Sequence, residues 1–183
     1  FERRVVAGPQ SEQQDVIAVV DEPGQDQAVL EVDHMLAARI AAAVATTRTG
    51  RIAVLATEGT VRGGAYQRAI RALRPDAQVA AVPVTLFVAL AEEGWTQGDV
   101  VLATTRQYLA PLFAEAATAP DVLVLGCTHF PPLAGVISQV AGEGVRIVDS
   151  AATTADALIQ LLAVRAFAAR TSTVGKAAFL VTD

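Results

Sequence analysis

Cys127, Thr128 and His129 place a thiol, a hydroxyl and an imidazole side by side, in the stretch Val124-Leu125-Gly126-Cys127-Thr128-His129-Phe130-Pro131. A thiolate acts both as nucleophile and as base, and free cysteine ionises near roughly pH 8.5. A cationic or dipolar neighbour makes the thiolate easier to form. Two such neighbours are at hand. His129 follows two residues later, and Pro131-Pro132 opens a predicted helix, a position where proline is accepted and where the helix dipole is positive. The competing reading is a free cysteine acting as a small buried hydrophobe. The adjacent Thr-His pair, and a position just past an apolar run ending at Gly126, favour chemistry.

Further polar groups fall at similar places. Thr57-Glu58-Gly59-Thr60 follows an apolar run that starts at Ile52. Hydroxyls and backbone N–H groups beyond a strand end can grip a carboxylate or phosphate, although the segment taken alone reads first as an ordinary polar loop. Glu92 and Glu93 close a predicted helix; they are either solvated or one of them orients His129, as a third group orients a base elsewhere. Asp149 and Ser150 suit a helix cap first and a ligand contact second. His34, after Asp33, reads as a surface residue. There is no Gly-x-Gly-x-x-Gly and no phosphate-loop lysine, so no nucleotide site is indicated.

The elements that must position these groups alternate. Apolar runs at 16–20, 52–56, 78–82, 122–125, 145–148 and 178–181 read as strands. Helical spacing occupies 32–47, 66–73, 86–91, 99–117, 133–140 and 151–169. This alternation predicts an α/β fold, a parallel sheet flanked by helices. Right-handed crossovers then collect the strand-end loops on one rim, where such sheets bind ligands. Thr57, Thr60, Glu92, Cys127, Thr128, His129, Asp149 and Ser150 all fall there.

Composition narrows the function classes. Hydrophobic residues make up 52% of the 183-residue chain, enough for a core, whereas aromatics are only 5%, which does not suit a base-stacking platform. The net charge of -5 argues against a nucleic-acid partner, which calls for a concentrated basic face. Arginines 48, 51, 62, 68, 71 and 74 are expected to coat solvated helix faces. A single cysteine rules out an internal disulfide and a multi-thiolate metal site and fits a reducing, cytoplasmic compartment. No apolar stretch is long enough for a membrane span. The first thirty residues are glutamine-rich and less periodic.

Four segments in order resemble the glutamate racemases of the aspartate/glutamate racemase superfamily. They are Arg51-Ile52-Ala53-Val54-Leu55-Ala56-Thr57-Glu58-Gly59-Thr60-Val61 with Tyr66, Leu86-Phe87-Val88-Ala89-Leu90-Ala91-Glu92-Glu93-Gly94-Trp95, the stretch from Leu123 through Cys127-Thr128-His129 to Leu133, and Val148-Asp149-Ser150-Ala151. The resemblance spans about residues 30–183. It implies an enzyme without cofactor or metal, which inverts the α-carbon of glutamate between two cysteines and supplies D-glutamate for peptidoglycan. It further implies that Cys127 is the second of these thiols, that His129 assists it and Glu92 orients the imidazole, and that Thr57, Thr60 and Thr128 hold the amino acid. A homodimer is a further implication.

The family's first thiol lies in an Ala-Cys-Asn-Thr segment with no counterpart here; Asp21-Glu22-Pro23 stands where it is expected. The resemblance therefore implies a divergent segment at 1–29, one nearly complete lobe at 30–149, and a helix and strand at 150–183 returning to a reduced second lobe. Three activities remain open: a glutamate racemase whose inversion is compromised by the missing thiol, a single-cysteine enzyme resembling the arylmalonate decarboxylases, and a non-catalytic binding protein.

Overall fold

The computed structural model describes residues 34–164. The strands expected at 16–20 and 178–181, Asp21, and the side chain of His34 lie outside the described residues. Four parallel strands form one sheet: β1 (Arg51–Ala56), β2 (Gln78–Pro83), β3 (Val122–Leu125) and β4 (Arg146–Val148), in the order β2-β1-β3-β4. The helices are α1 (His34–Thr46), α2 (Glu58–Gly63), α3 (Ala65–Leu73), α4 (Leu86–Glu92), α5 (Asp99–Leu109), α6 (Ala134–Ala141) and α7 (Ser150–Val164). The expected parallel α/β architecture is present.

Strand periodicity divides the core. Ala53, Leu55, Leu123 and Leu125 point to one face, where α4, α5 and α6 supply Phe87, Leu90, Val101, Leu109, Val136 and Ile137. Ile52, Val54, Val122 and Val124 point to the other, where α1 and α3 supply Ile40, Ala43, Tyr66 and Ile70. β3 lies between two neighbours in the sheet and is covered on both faces, so all four of its residues are buried. That explains its unbroken apolar run. Leu123 and Leu125 are fully buried, worth about 2 kcal/mol each by area. α7 packs against α1.

The chain leaves β1 toward β2 on one side and later returns to place β3 on the other. The ends of β1 and β3 therefore flank a topological switch point, where the following segments diverge and leave a crevice.

Three local expectations are corrected. The helix predicted over 99–117 stops at Leu109 and tightens to a 3-10 turn over Ala110–Phe113, because Pro111 has no N–H to continue the ladder. Pro131–Leu133 is likewise a 3-10 turn before α6. Thr57 to Thr60 is not a loop: Thr57 caps α2, and its carbonyl accepts the Val61 N–H at 3.0 Å. Gly64, at φ 69, ends α2 and starts α3, a bend in the left-handed region that glycine adopts without penalty.

The arginines also divide. Arg62, Arg68 and Arg71 are exposed as expected. Arg51 and Arg74 instead bond inward: Arg51 Nε donates to Ala119 O at 2.8 Å and Arg74 Nη1 to Thr47 O at 3.2 Å.

Candidate active site

The site begins where β3 ends. The Gly126 N–H donates to Leu55 O at 2.7 Å, carrying the β1–β3 ladder one residue past the strand. Cys127 to Phe130 then form a turn closed by the Phe130 N–H on Cys127 O at 3.3 Å. This turn folds the side chains of Cys127 and His129 together, with Cys127 Sγ 3.6 Å from His129 Nδ1. The other ring nitrogen, Nε2, lies 3.2 Å from Glu92 Oε1 at the end of α4.

Packing sets the distance between those two elements. Phe130, fully buried, meets Phe87 of α4 edge-to-face at 5.6 Å, and Phe87 meets Tyr108 of α5 in the same way at 5.4 Å. Such pairs add about 1 kcal/mol beyond burial. The aromatic contact joins the turn bearing His129 to the helix bearing Glu92.

Across the switch point, Thr57 Oγ1 and Thr60 Oγ1 are 3.0 Å apart. Thr57 directly follows β1, the strand that pairs with β3. Thr128 is exposed on the turn beside Cys127. Asp149 caps α7, its Oδ1 accepting the Ala152 N–H at 2.8 Å, as the sequence predicts, while Ser150 is buried. Cys127 is half-buried, and the His129 and Glu92 side chains are 41% and 64% exposed. Solvent therefore reaches the relay, which weakens the ion pair and leaves the thiol accessible to a small molecule.

These groups can perform proton transfer at one face of a bound molecule. A ring that donates Nε2–H to Glu92 presents Nδ1 as an acceptor for the thiol proton. Hydroxyls at the adjoining strand end supply donors for an anionic group. Among the described residues no cluster of three His, Cys, Asp or Glu could hold a metal ion. A groove of about 880 Å³ lined by Arg48, Ser138, Gln139, Glu143 and Arg146 lies at the opposite end of the strands, away from the thiol.

Sequence reasoning gave no role to Phe87 and Phe130, whose contact spans two elements, or to Tyr66, which backs Gly126. Only Gly126 left a local signal, as a glycine directly after a buried run.

An open parallel sheet with a thiol–imidazole–carboxylate line at its switch point defines a class of α/β proteins equipped for proton transfer. Residues 25–158 match the family described as Asp/Glu/Hydantoin racemase, and the chain belongs to that family. The glutamate racemase of Geobacter metallireducens is 46% identical over 141 residues, covering 77% of this chain and 51% of that protein. A glutamate racemase isoform from Bacillus anthracis superposes with a TM-score of 0.67 at 30% identity, over 74% of this chain and 50% of the other. The Francisella tularensis glutamate racemase, solved in complex with D-glutamate, gives 0.64 at 25% identity, over 75% and 49%. The chain thus spans about half the length of the relatives it matches. Among the described residues no helix is long and apolar enough to cross a membrane.

Proposed function

We propose that this chain carries one proton-transferring half of a glutamate racemase. Cys127 exchanges the α-proton at one face of glutamate, His129 accepts and returns the thiol proton, and Glu92 orients the ring. Thr57, Thr60 and Thr128 hold the amino acid. The observation that carries this reading is the line Cys127 Sγ–His129–Glu92, with separations of 3.6 Å and 3.2 Å. The relatives' identity as glutamate racemases, and the D-glutamate bound to one of them, support the substrate. In this reading residues 30–149 form the lobe bearing the thiol. The activity would serve peptidoglycan synthesis in the cytoplasm, with a homodimer as the assembled form.

Geometry limits what one thiol does. Removal of the α-proton by the Cys127 thiolate leaves a carbanion, and return of a proton from the same sulfur restores the original configuration. Inversion requires a donor on the opposite face. The test is incubation of L-glutamate in heavy water, following α-proton exchange by NMR and optical rotation separately. Exchange with retained rotation supports the proposal; exchange with loss of rotation adds a second donor. Absence of exchange overturns it, and turnover of a disubstituted malonate instead would assign single-cysteine decarboxylase chemistry.

A further inference from the structure

Behind Gly126, on the face of the sheet away from His129, lies a buried polar pair that the proton relay does not use. Tyr66 of α3 is 4% exposed and Arg39 of α1 is 6% exposed. Arg39 Nη1 donates to Tyr66 Oη at 2.6 Å, and the guanidinium carbon lies 5.8 Å from the ring centroid. That separation is within the range of an attractive cation–ring contact. The ring in turn reaches the start of the reactive turn: a Cβ on Gly126 would lie 3.3 Å from Tyr66 Cε2 and 3.1 Å from both Ala56 Cβ and Leu55 O. Gly126 is thus pressed between the end of β1 and the phenol ring, with Cys127 the next residue.

We infer that Tyr66, held by Arg39, is a positioning residue for Cys127. The anchored ring closes the space behind Gly126 and fixes the direction in which the chain leaves β3, and so the approach of Sγ to His129 Nδ1. A buried guanidinium is costly to desolvate. Here it fixes the phenol from α1 and so ties α1 to α3 behind the turn. Phe87 holds Phe130 at the far end of the turn, so a shift at Gly126 is taken up between these two points and changes the separation of Sγ and Nδ1.

The inference does not depend on glutamate being the substrate, and neither does its test. Three variants are compared with the unmodified chain: Tyr66→Leu removes the ring, Tyr66→Phe removes only the hydroxyl that Arg39 holds, and Ile70→Val thins the same buried face of α3 without touching Gly126. Two readouts apply: the pH profile of Cys127 alkylation by iodoacetamide, and the ring-nitrogen NMR shifts of His129. Tyr66→Leu is expected to slow alkylation at pH 7 by about tenfold, since moving Sγ from the imidazole that takes its proton weakens the nucleophile, and to move the His129 Nδ1 signal. Ile70→Val, matched for loss of thermal stability, should leave both unchanged. If Tyr66→Leu does not fold, Tyr66→Phe carries the test with roughly a threefold loss. A folded Tyr66 variant with an unaltered profile, or an equal change in Ile70→Val, overturns the inference. Retained exchange chemistry in a variant with altered alkylation would leave the proposed function standing.

Discussion

Glu92 and Cys127 address opposite nitrogens of one ring: the carboxylate oxygen lies 3.2 Å from His129 Nε2, and the thiol sulfur 3.6 Å from Nδ1. The two residues come from different crossovers, α4 and the turn after β3, and meet because Phe87 and Phe130 pack edge-to-face between them. The carboxylate therefore influences the thiol only through the imidazole.

Glu92→Gln should consequently have a limited effect. Both partners are substantially exposed, and an exposed ion pair contributes about 1 kcal/mol at most. Alkylation of Cys127 and α-proton exchange should each fall by no more than about fivefold, and the gap should narrow in high salt, which screens exposed charges. A hundredfold loss would mean that substrate binding buries the pair.

Cys127→Ser should behave differently. A hydroxyl in place of the thiol cannot supply the base at neutral pH, so exchange should drop on the order of a thousandfold, the usual scale of general-base loss. The half-buried position predicts little change in melting temperature. Exchange surviving in this variant would assign the base elsewhere.

The hydroxyls of Thr57 and Thr60 should reveal themselves in KM. Removing a donor to a charged group costs about 2 kcal/mol, so Thr57→Val or Thr60→Val should raise KM by more than tenfold with a smaller change in kcat. A change confined to kcat would place these hydroxyls at the reacting carbon.

Much of this architecture was legible in the sequence. The run at β3 ends at Gly126 because a fully buried strand has no polar face, and the rim residues follow from parallel topology. Other features were hidden for physical reasons. The apolar spacing that suggests one helix to residue 117 continues through Leu112 and Phe113, which do pack on the core, but Pro111 changes the backbone beneath them. α2 escaped notice because Gly59 and Gly63 are poor helix formers, and six residues carry little periodicity. The inward bonds of Arg51 and Arg74 leave no local signal, because their carbonyl partners are distant in sequence.

Asp121 is the clearest case of such distant partnering. It is buried at the start of β3, and its carboxylate accepts from Thr47 Oγ1 at 2.6 Å and from the backbone N–H groups of Arg48 and Thr49 at 2.7 and 3.0 Å. Burial pushes its pKa up, but the hydrogen bonds from Thr47, Arg48 and Thr49 together outweigh burial and hold it below the ordinary 3.8. A depressed carboxylate pKa means that the folded state favours the charged form. The stabilisation is therefore complete above the unfolded value and is lost as pH falls through the folded one. Asp121→Asn removes the charge and turns an amide donor toward existing donors, so it should destabilise by about 3 kcal/mol at pH 7. The difference between the two proteins should stay constant from about pH 8 to 5 and shrink below about pH 4, as the unfolded chain and then the native carboxylate take up a proton. Urea denaturation at a series of pH values measures this directly. A difference that persists unchanged at pH 2.5 would mean that Asp121 acts through shape and not through charge.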